Sequence, residues 1–221
     1  MSSARITSLF LAVFSLKLAS TISTLLTVTI FVYTIIQVAY CLRLKKEPLL
    51  DLLCIASGFI LRSIAGGVAA DVYLSPWFLL TVGLLALFLA VEKRKAELQN
   101  SNKNRSTTRH SLERYSLPLL LRLEGLVSTS AFISYSLWAS GPTLNGASTS
   151  WMLLTVPFVL LGIFQYQLLS DPEEATRRRA FDSYRTSESP DEILLSDRGI
   201  KLTLIGWFIS TAMIIALSHA N

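Results

Sequence analysis

Apolar residues run in seven long stretches separated by short polar breaks, and each stretch is close to the roughly 20 residues that a helix needs to cross a bilayer core. They cover residues 6–19, 23–42, 52–70, 77–91, 117–139, 151–169 and 202–217. The first is the weakest, being short and interrupted by Lys17. A backbone in lipid must satisfy its own hydrogen bonds, so runs of this length predict helices rather than open sheet. The expected fold class is therefore all-α, a polytopic membrane helix bundle with seven transmembrane helices. Arg5 followed by the run from Leu9 to Leu16 resembles a cleavable leader, but a first membrane helix fits better, because its removal would leave the second helix without its partner. Pro157 predicts a kink inside the sixth helix, and Gly66 and Gly67 predict a close approach of the third helix to a neighbour. The Ser, Asn, Thr, Lys and Arg cluster over 100–108 reads as a flexible loop, and 170–198 as a longer polar one.

The polar breaks are not equivalent. Nearly all Lys and Arg fall in 43–51, 92–114 and 171–201, whereas 71–75 and 140–150 contain neither. Basic loops stay on the cytoplasmic side of a membrane, so this distribution fixes an orientation. With Arg5 inside, seven crossings place every basic loop inside, the N-terminus in the cytoplasm and the C-terminus outside a plasma (inner) membrane. Residues 1–221 then form a single integral membrane domain, with loops 92–114 and 171–201 cytoplasmic. Tyr73, Trp77, Trp138 and Trp151 line the outer boundary as an aromatic belt, and Lys17 snorkels to it.

Composition agrees with this picture. The chain has 52% hydrophobic and only 16% charged residues, with a mean hydropathy of +0.51, which excludes an ordinary soluble domain. Its net charge of +5 does not point to nucleic acid, because the cations crowd at the ends of apolar segments and suit anionic lipid instead. Cys41 and Cys54 read as inert packing residues near inner helix ends, and His110 and His219 as isolated side chains. A transporter is disfavoured, since no paired, interrupted half-motifs are present.

Some charges sit where lipid does not tolerate them. Arg62 lies 11 residues beyond Asp51, hence on nearly the same helix face and roughly 16 Å further along the axis. An intramembrane Arg costs at least about 2.5 kcal/mol to insert, so it should face a polar cavity or an anionic partner. Glu124 in the fifth helix is the structural candidate, whereas Arg122, two residues earlier, points to another face. Further cations gather at inner helix ends: Lys45 and Lys46 after Tyr40, then Glu92, Lys93, Arg94, Lys95 and Glu97. Guanidinium and ammonium groups at the mouth of a membrane cavity suit a phosphate or diphosphate, and a carboxylate among them, Glu97, suits a divalent metal or a sugar hydroxyl.

Three blocks carry a resemblance: Tyr40-Cys-Leu-Arg-Leu-Lys45, Asp51-Leu-Leu-Cys-Ile-Ala-Ser-Gly-Phe-Ile-Leu-Arg62-Ser-Ile-Ala-Gly-Gly67, and Ser75-Pro-Trp-Phe-Leu-Leu80. They resemble the UbiA-type prenyltransferase superfamily, in particular its branch of decaprenyl-phosphate phosphoribosyltransferases. Lys93-Arg-Lys-Ala-Glu97-Leu98 is similar to that branch's second motif, and Pro190-Asp-Glu-Ile-Leu-Leu-Ser-Asp197-Arg198 to its segment before the final helix. The resemblance covers nearly the whole chain from Ile6 onward. It implies a nine-helix bundle, of which this chain would hold seven helices, around a cytoplasmic-side cavity that binds magnesium diphosphate. The implied activity transfers 5-phosphoribose from phosphoribosyl pyrophosphate to a polyprenyl phosphate, with Mg2+ as cofactor and membrane lipid as surroundings. Aromatic-acceptor prenylation stays open, because the scaffold is shared.

Carried onto this chain, the resemblance gives Lys45, Arg62, Lys93 and Arg94 to the phosphates and has Tyr40 shape the cavity. Glu97 assists the metal or the ribose, and Arg62 and Glu97 are the expected catalytic residues. The family's first motif, an Asn-Asp pair with a further Asp between its second and third helices, has no counterpart here. Glu92 also stands where a small residue is common in the branch. Two helices and the main metal site are thus expected to be missing, leaving an enzyme whose true start lies upstream or that a separate chain completes, or else a non-catalytic remnant or partner subunit.

Overall fold

The computed structural model describes residues 2–104, 112–171 and 197–220, and it falls into two compact units, Met1–Leu74 and Ser75–Asn221. Among the described residues every regular element is helical, as the apolar runs require.

The first unit contains α1 (Ser2–Ile22), α2 (Thr24–Leu42) and α3 (Leu50–Ala69). Ser23 separates α1 from α2 because its extended backbone and hydroxyl cap the new helix, accepting from Leu25 N at 3.2 Å. A single 3-10 turn, Leu44–Lys46, follows α2, and the chain reverses through Leu49 at φ 65°. Asp51, fully buried, sits in the first turn of α3, where a carboxylate is favoured by the helix dipole. The expectation for the two glycines divides. A Cβ at Gly67 would come within 2.7 Å of the Leu74 side chain, so this glycine admits the chain's own return. Gly66 has nothing within 4 Å and serves no close approach here.

The second unit contains α4 (Pro76–Asn104), α5 (Leu117–Ala139), α6 (Val156–Ser170) and α7 (Arg198–Ala220). Two expectations change. Helix α4 continues to Asn104, so the start of the loop foreseen over 100–108 is helical. Pro157 does not kink a continuous helix: a 3-10 segment, Ser150–Thr155, leads into α6, and Pro157 occupies its first turn, where a missing N–H breaks nothing. Residues 172–196, with most of the Pro190–Arg198 motif, and His110 lie outside the described residues. Asp197 begins the last helix, its Oδ1 accepting from Ile200 N at 3.1 Å.

Among the described residues six helices are long and apolar enough to cross a membrane. Large apolar side chains such as Leu25, Phe31, Leu126, Leu202 and Phe208 stay exposed, a liability in water and the natural surface in lipid. Packing in the second unit centres on two clusters. One joins Tyr135, Ala139, Met152 and Ile214, and the other Phe88, Val127, Tyr166 and Ile200. Trp207 donates to the Tyr135 hydroxyl at 2.7 Å, which also bonds Thr155 at 2.6 Å, so the polar tips of this core are satisfied.

Candidate functional site

In the first unit the predicted residues lie along the α2–α3 contact. Tyr40 OH donates to Asp51 Oδ1 at 2.9 Å, pinning the inner end of α2 to the start of α3. Lys45 is half-buried in the 3-10 turn next to this pair, with Lys46 exposed beside it. Arg62 is held differently from the expectation. Its Nη2 donates to Tyr33 OH at 2.7 Å, and its guanidinium carbon lies 5.3 Å from the Tyr33 ring centre and 5.4 Å from that of Phe59. Two aromatic faces stabilise a cation without neutralising it. Among the described residues Arg62 has no ion pair, so its charge stays available to an oxyanion.

In the second unit the inner part of α4 carries the other cluster. Lys93 is exposed. Arg94, only 1% exposed, is paired with Glu97 one turn on, whose side chain is 33% exposed. Lys95 turns inward: its ammonium donates to Glu92 Oε1 at 2.9 Å, Glu124 Oε2 at 2.6 Å and Ser170 Oγ at 3.2 Å. Three acceptors from α4, α5 and α6 meet the three donors of one ammonium. Glu124 is therefore a partner of Lys95, a contact not foreseen from the sequence. Arg122 is exposed while Glu124 is buried, as their two-residue spacing requires.

The sequence signalled the cations but not this division of labour. Consecutive residues of one helix point about 100° apart, so Lys93, Arg94 and Lys95 have three different fates. The i,i+3 spacing of Glu92 and Lys95 was a readable clue to their pairing. Tyr33 was not singled out, and its signal, a seven-residue spacing from Tyr40 on the same face, becomes meaningful only when α3 lies against it. The expectation that both cysteines are packing residues fails for Cys41, which is exposed, while Cys54 is partly buried; both are free.

The described residues supply no group of three or more His, Cys, Asp or Glu side chains suited to a metal ion. Glu97, the predicted metal residue, offers one carboxylate already engaged by Arg94, so these residues do not fit a magnesium site by themselves. The second unit also encloses a cavity of about 350 Å³ among α4, α5, α6 and α7, lined by apolar and aromatic side chains including Phe88, Phe158 and Trp207. Its lining suits hydrocarbon.

Six apolar helices long enough to cross a membrane, among the described residues, define a multi-pass membrane protein. Residues 1–187 match the UbiA prenyltransferase family, and the chain belongs to that family. It is 36% identical over 205 residues to a decaprenyl-phosphate phosphoribosyltransferase of Mycolicibacterium smegmatis, covering 89% of this chain and 60% of that one. A protein of the same name from Corynebacterium glutamicum is 33% identical over 186 residues, covering 82% and 52%. One from Mycobacterium tuberculosis is 31% identical over 192 residues, covering 86% and 59%. The chain thus spans between 52% and 60% of the length of these relatives. UbiA family members are multi-pass membrane proteins and generally use Mg2+.

Proposed function

We propose that this chain is the larger part of a membrane phosphoribosyltransferase that moves 5-phosphoribose from phosphoribosyl pyrophosphate to a polyprenyl phosphate. In that reaction an oxygen of the lipid phosphate attacks the anomeric carbon, the bond from that carbon to pyrophosphate breaks, and pyrophosphate leaves. The observation that carries the reading is Arg62, a guanidinium inside an apolar helix, held by aromatic groups and left without a carboxylate among the described residues. An exposed cation so presented, on the apolar surface of a membrane-spanning helix, is an instrument for phosphate. The likeness to three proteins named for this activity supports the choice of transfer chemistry.

In this reading Lys45, Lys93 and Arg94 neutralise the remaining phosphate charge, and Tyr40 holds the inner end of α2 in place through Asp51. Glu97 keeps Arg94 oriented and exchanges it for a phosphate or accepts from a ribose hydroxyl. Positioning and electrostatic stabilisation supply the rate enhancement. The apolar cavity in the second unit accommodates part of the isoprenoid chain. The carboxylates that bind a diphosphate-bound metal come from outside the described residues, on a further segment or on a separate chain. The complete assembly sits in the plasma membrane with its basic loops in the cytoplasm.

The test uses membranes from cells that make the chain naturally, with and without its gene, supplied with radiolabelled phosphoribosyl pyrophosphate. Loss of labelled lipid on deletion, restored by the wild-type gene and reduced at least about a hundredfold by Arg62→Ala at normal membrane levels, is the expected result. Equal labelling in both strains rules the function out. The 221-residue chain, purified alone, should form no labelled lipid.

A further inference from the structure

The face of α2 that carries Tyr33 and Tyr40 also carries Gln37, one turn after Tyr33, and this residue belongs to none of the functions assigned so far. Its amide rests over Gly58 of α3. A Cβ built on Gly58 would lie 3.3 Å from Gln37 Nε2 and 3.8 Å from a Tyr33 ring carbon, so the glycine leaves a notch in which both side chains sit. Gly58 is one turn before Arg62 on the same helix. The amide and the guanidinium are therefore neighbours along one groove, separated by roughly 6 Å of axial rise.

Neither group is satisfied as it stands. Gln37 is half-buried in an apolar helix, and its side chain makes no hydrogen bond among the described residues. An unpaired amide in lipid is costly, as is an Arg without an anion. Two donors one turn apart can both be met by one tetrahedral oxyanion, since each charge-assisted contact reaches about 2.8 Å and the anion itself has width. We infer that Tyr33, Gln37 and Arg62 form a receptor for a single phosphate group within the membrane span. Arg62 supplies charge and Gln37 a second donor. Tyr33 is a positioning residue, fixing the guanidinium through its hydroxyl. The inference rests on the proposed role of Arg62 in binding phosphate and adds to it two residues and a stoichiometry of one phosphate. That phosphate belongs either to a lipid headgroup or to a soluble diphosphate.

The full chain in phosphatidylcholine vesicles is treated with phenylglyoxal, and the modification of Arg62 is followed by mass spectrometry. Dodecyl phosphate in the bilayer and inorganic pyrophosphate in the bath are the two probes. One of them should slow the modification at least about tenfold, and which one does identifies the source of the phosphate. Gln37→Met, which keeps the side chain's length, and Tyr33→Phe, which keeps the ring, should each raise the half-protecting concentration about tenfold. Gln37→Glu should raise it further, by repelling the anion. Ser63→Ala, whose hydroxyl bonds only its own helix at Phe59 O, should leave it unchanged. Wild-type protection that persists unaltered in both Gln37→Met and Tyr33→Phe overturns the receptor and leaves the role of Arg62 standing. Absence of protection by either probe overturns both.

Discussion

Lys95 shows how a single side chain can be misjudged by its neighbours in sequence. Directly after two cations that read as phosphate ligands, it is the buried hub of an ionic knot with Glu92, Glu124 and Ser170. Replacing it by Met would leave two carboxylates buried without a counter-ion, and breaking a buried pair in this way costs about 3–5 kcal/mol. Lys95→Met should therefore lower the unfolding free energy in detergent by that order, measured by denaturant titration of helicity. Glu92→Gln removes one of two negative charges facing one ammonium and keeps an amide oxygen as acceptor. It should stay within about 1 kcal/mol of wild type in the same titration. The reverse order of the two variants would show that Lys95 does not hold the knot. Seen along the chain, Glu92 and Lys95 were visible as a pair one turn apart. Glu124, 29 residues away, and Ser170, 75 residues away, were not, because periodicity reports a face and never its opposite number.

Helices were the most legible level. The seven apolar runs all became helices, because in lipid an apolar segment has no other way to satisfy its backbone. Their ends were less legible, being set by particular contacts. The connection after α5 is an example. Gly141 adopts φ 93°, and a Cβ on Gly146 would come within 2.2 Å of Trp138 O, where Ala147 N also bonds at 2.8 Å. Gly146→Ala should therefore destabilise the second unit by about 2 kcal/mol or more, since rigid backbone cannot yield. Gly66→Ala faces open space in a helix and should be neutral or stabilising by up to about 1 kcal/mol. Thermal melts of the two variants in one detergent compare them directly; equal melting temperatures would contradict the stated packing. Pro157 illustrates the same limit: proline predicts a disturbed helix, and only the preceding 3-10 segment decides that it starts one.

For the molecule as a whole, the distribution of Lys and Arg predicts an orientation. Polypeptide between membrane helices is held inside by its cations, so the inner loops should be shielded from reagents outside the cell. In a variant without Cys41 and Cys54, Asn145→Cys should react with an impermeant maleimide on intact cells, and Lys46→Cys only after permeabilisation. Both positions are exposed, so access to the side chain is not limiting. Labelling of both on intact cells would refute the orientation and with it a cytoplasmic source of phosphoribosyl pyrophosphate. The likeness to phosphoribosyltransferases runs over most of this chain and over 52–60% of theirs.

By itself the sequence determined the membrane class, the helices, the likeness to the UbiA family and the presence of cations where lipid resists them. The likeness rests on particular residue blocks, whereas the rest follow from composition and period, which are local and additive along a chain. Which cation is spent on a carboxylate and which on aromatic groups was decided by tertiary structure. Arg62 and Lys95 are both cations on apolar helices, and within the helix only Glu92, one turn before Lys95, hints at their different fates. Only the approach of α2 gives Arg62 an aromatic cradle, and only that of α5 and α6 gives Lys95 its acceptors.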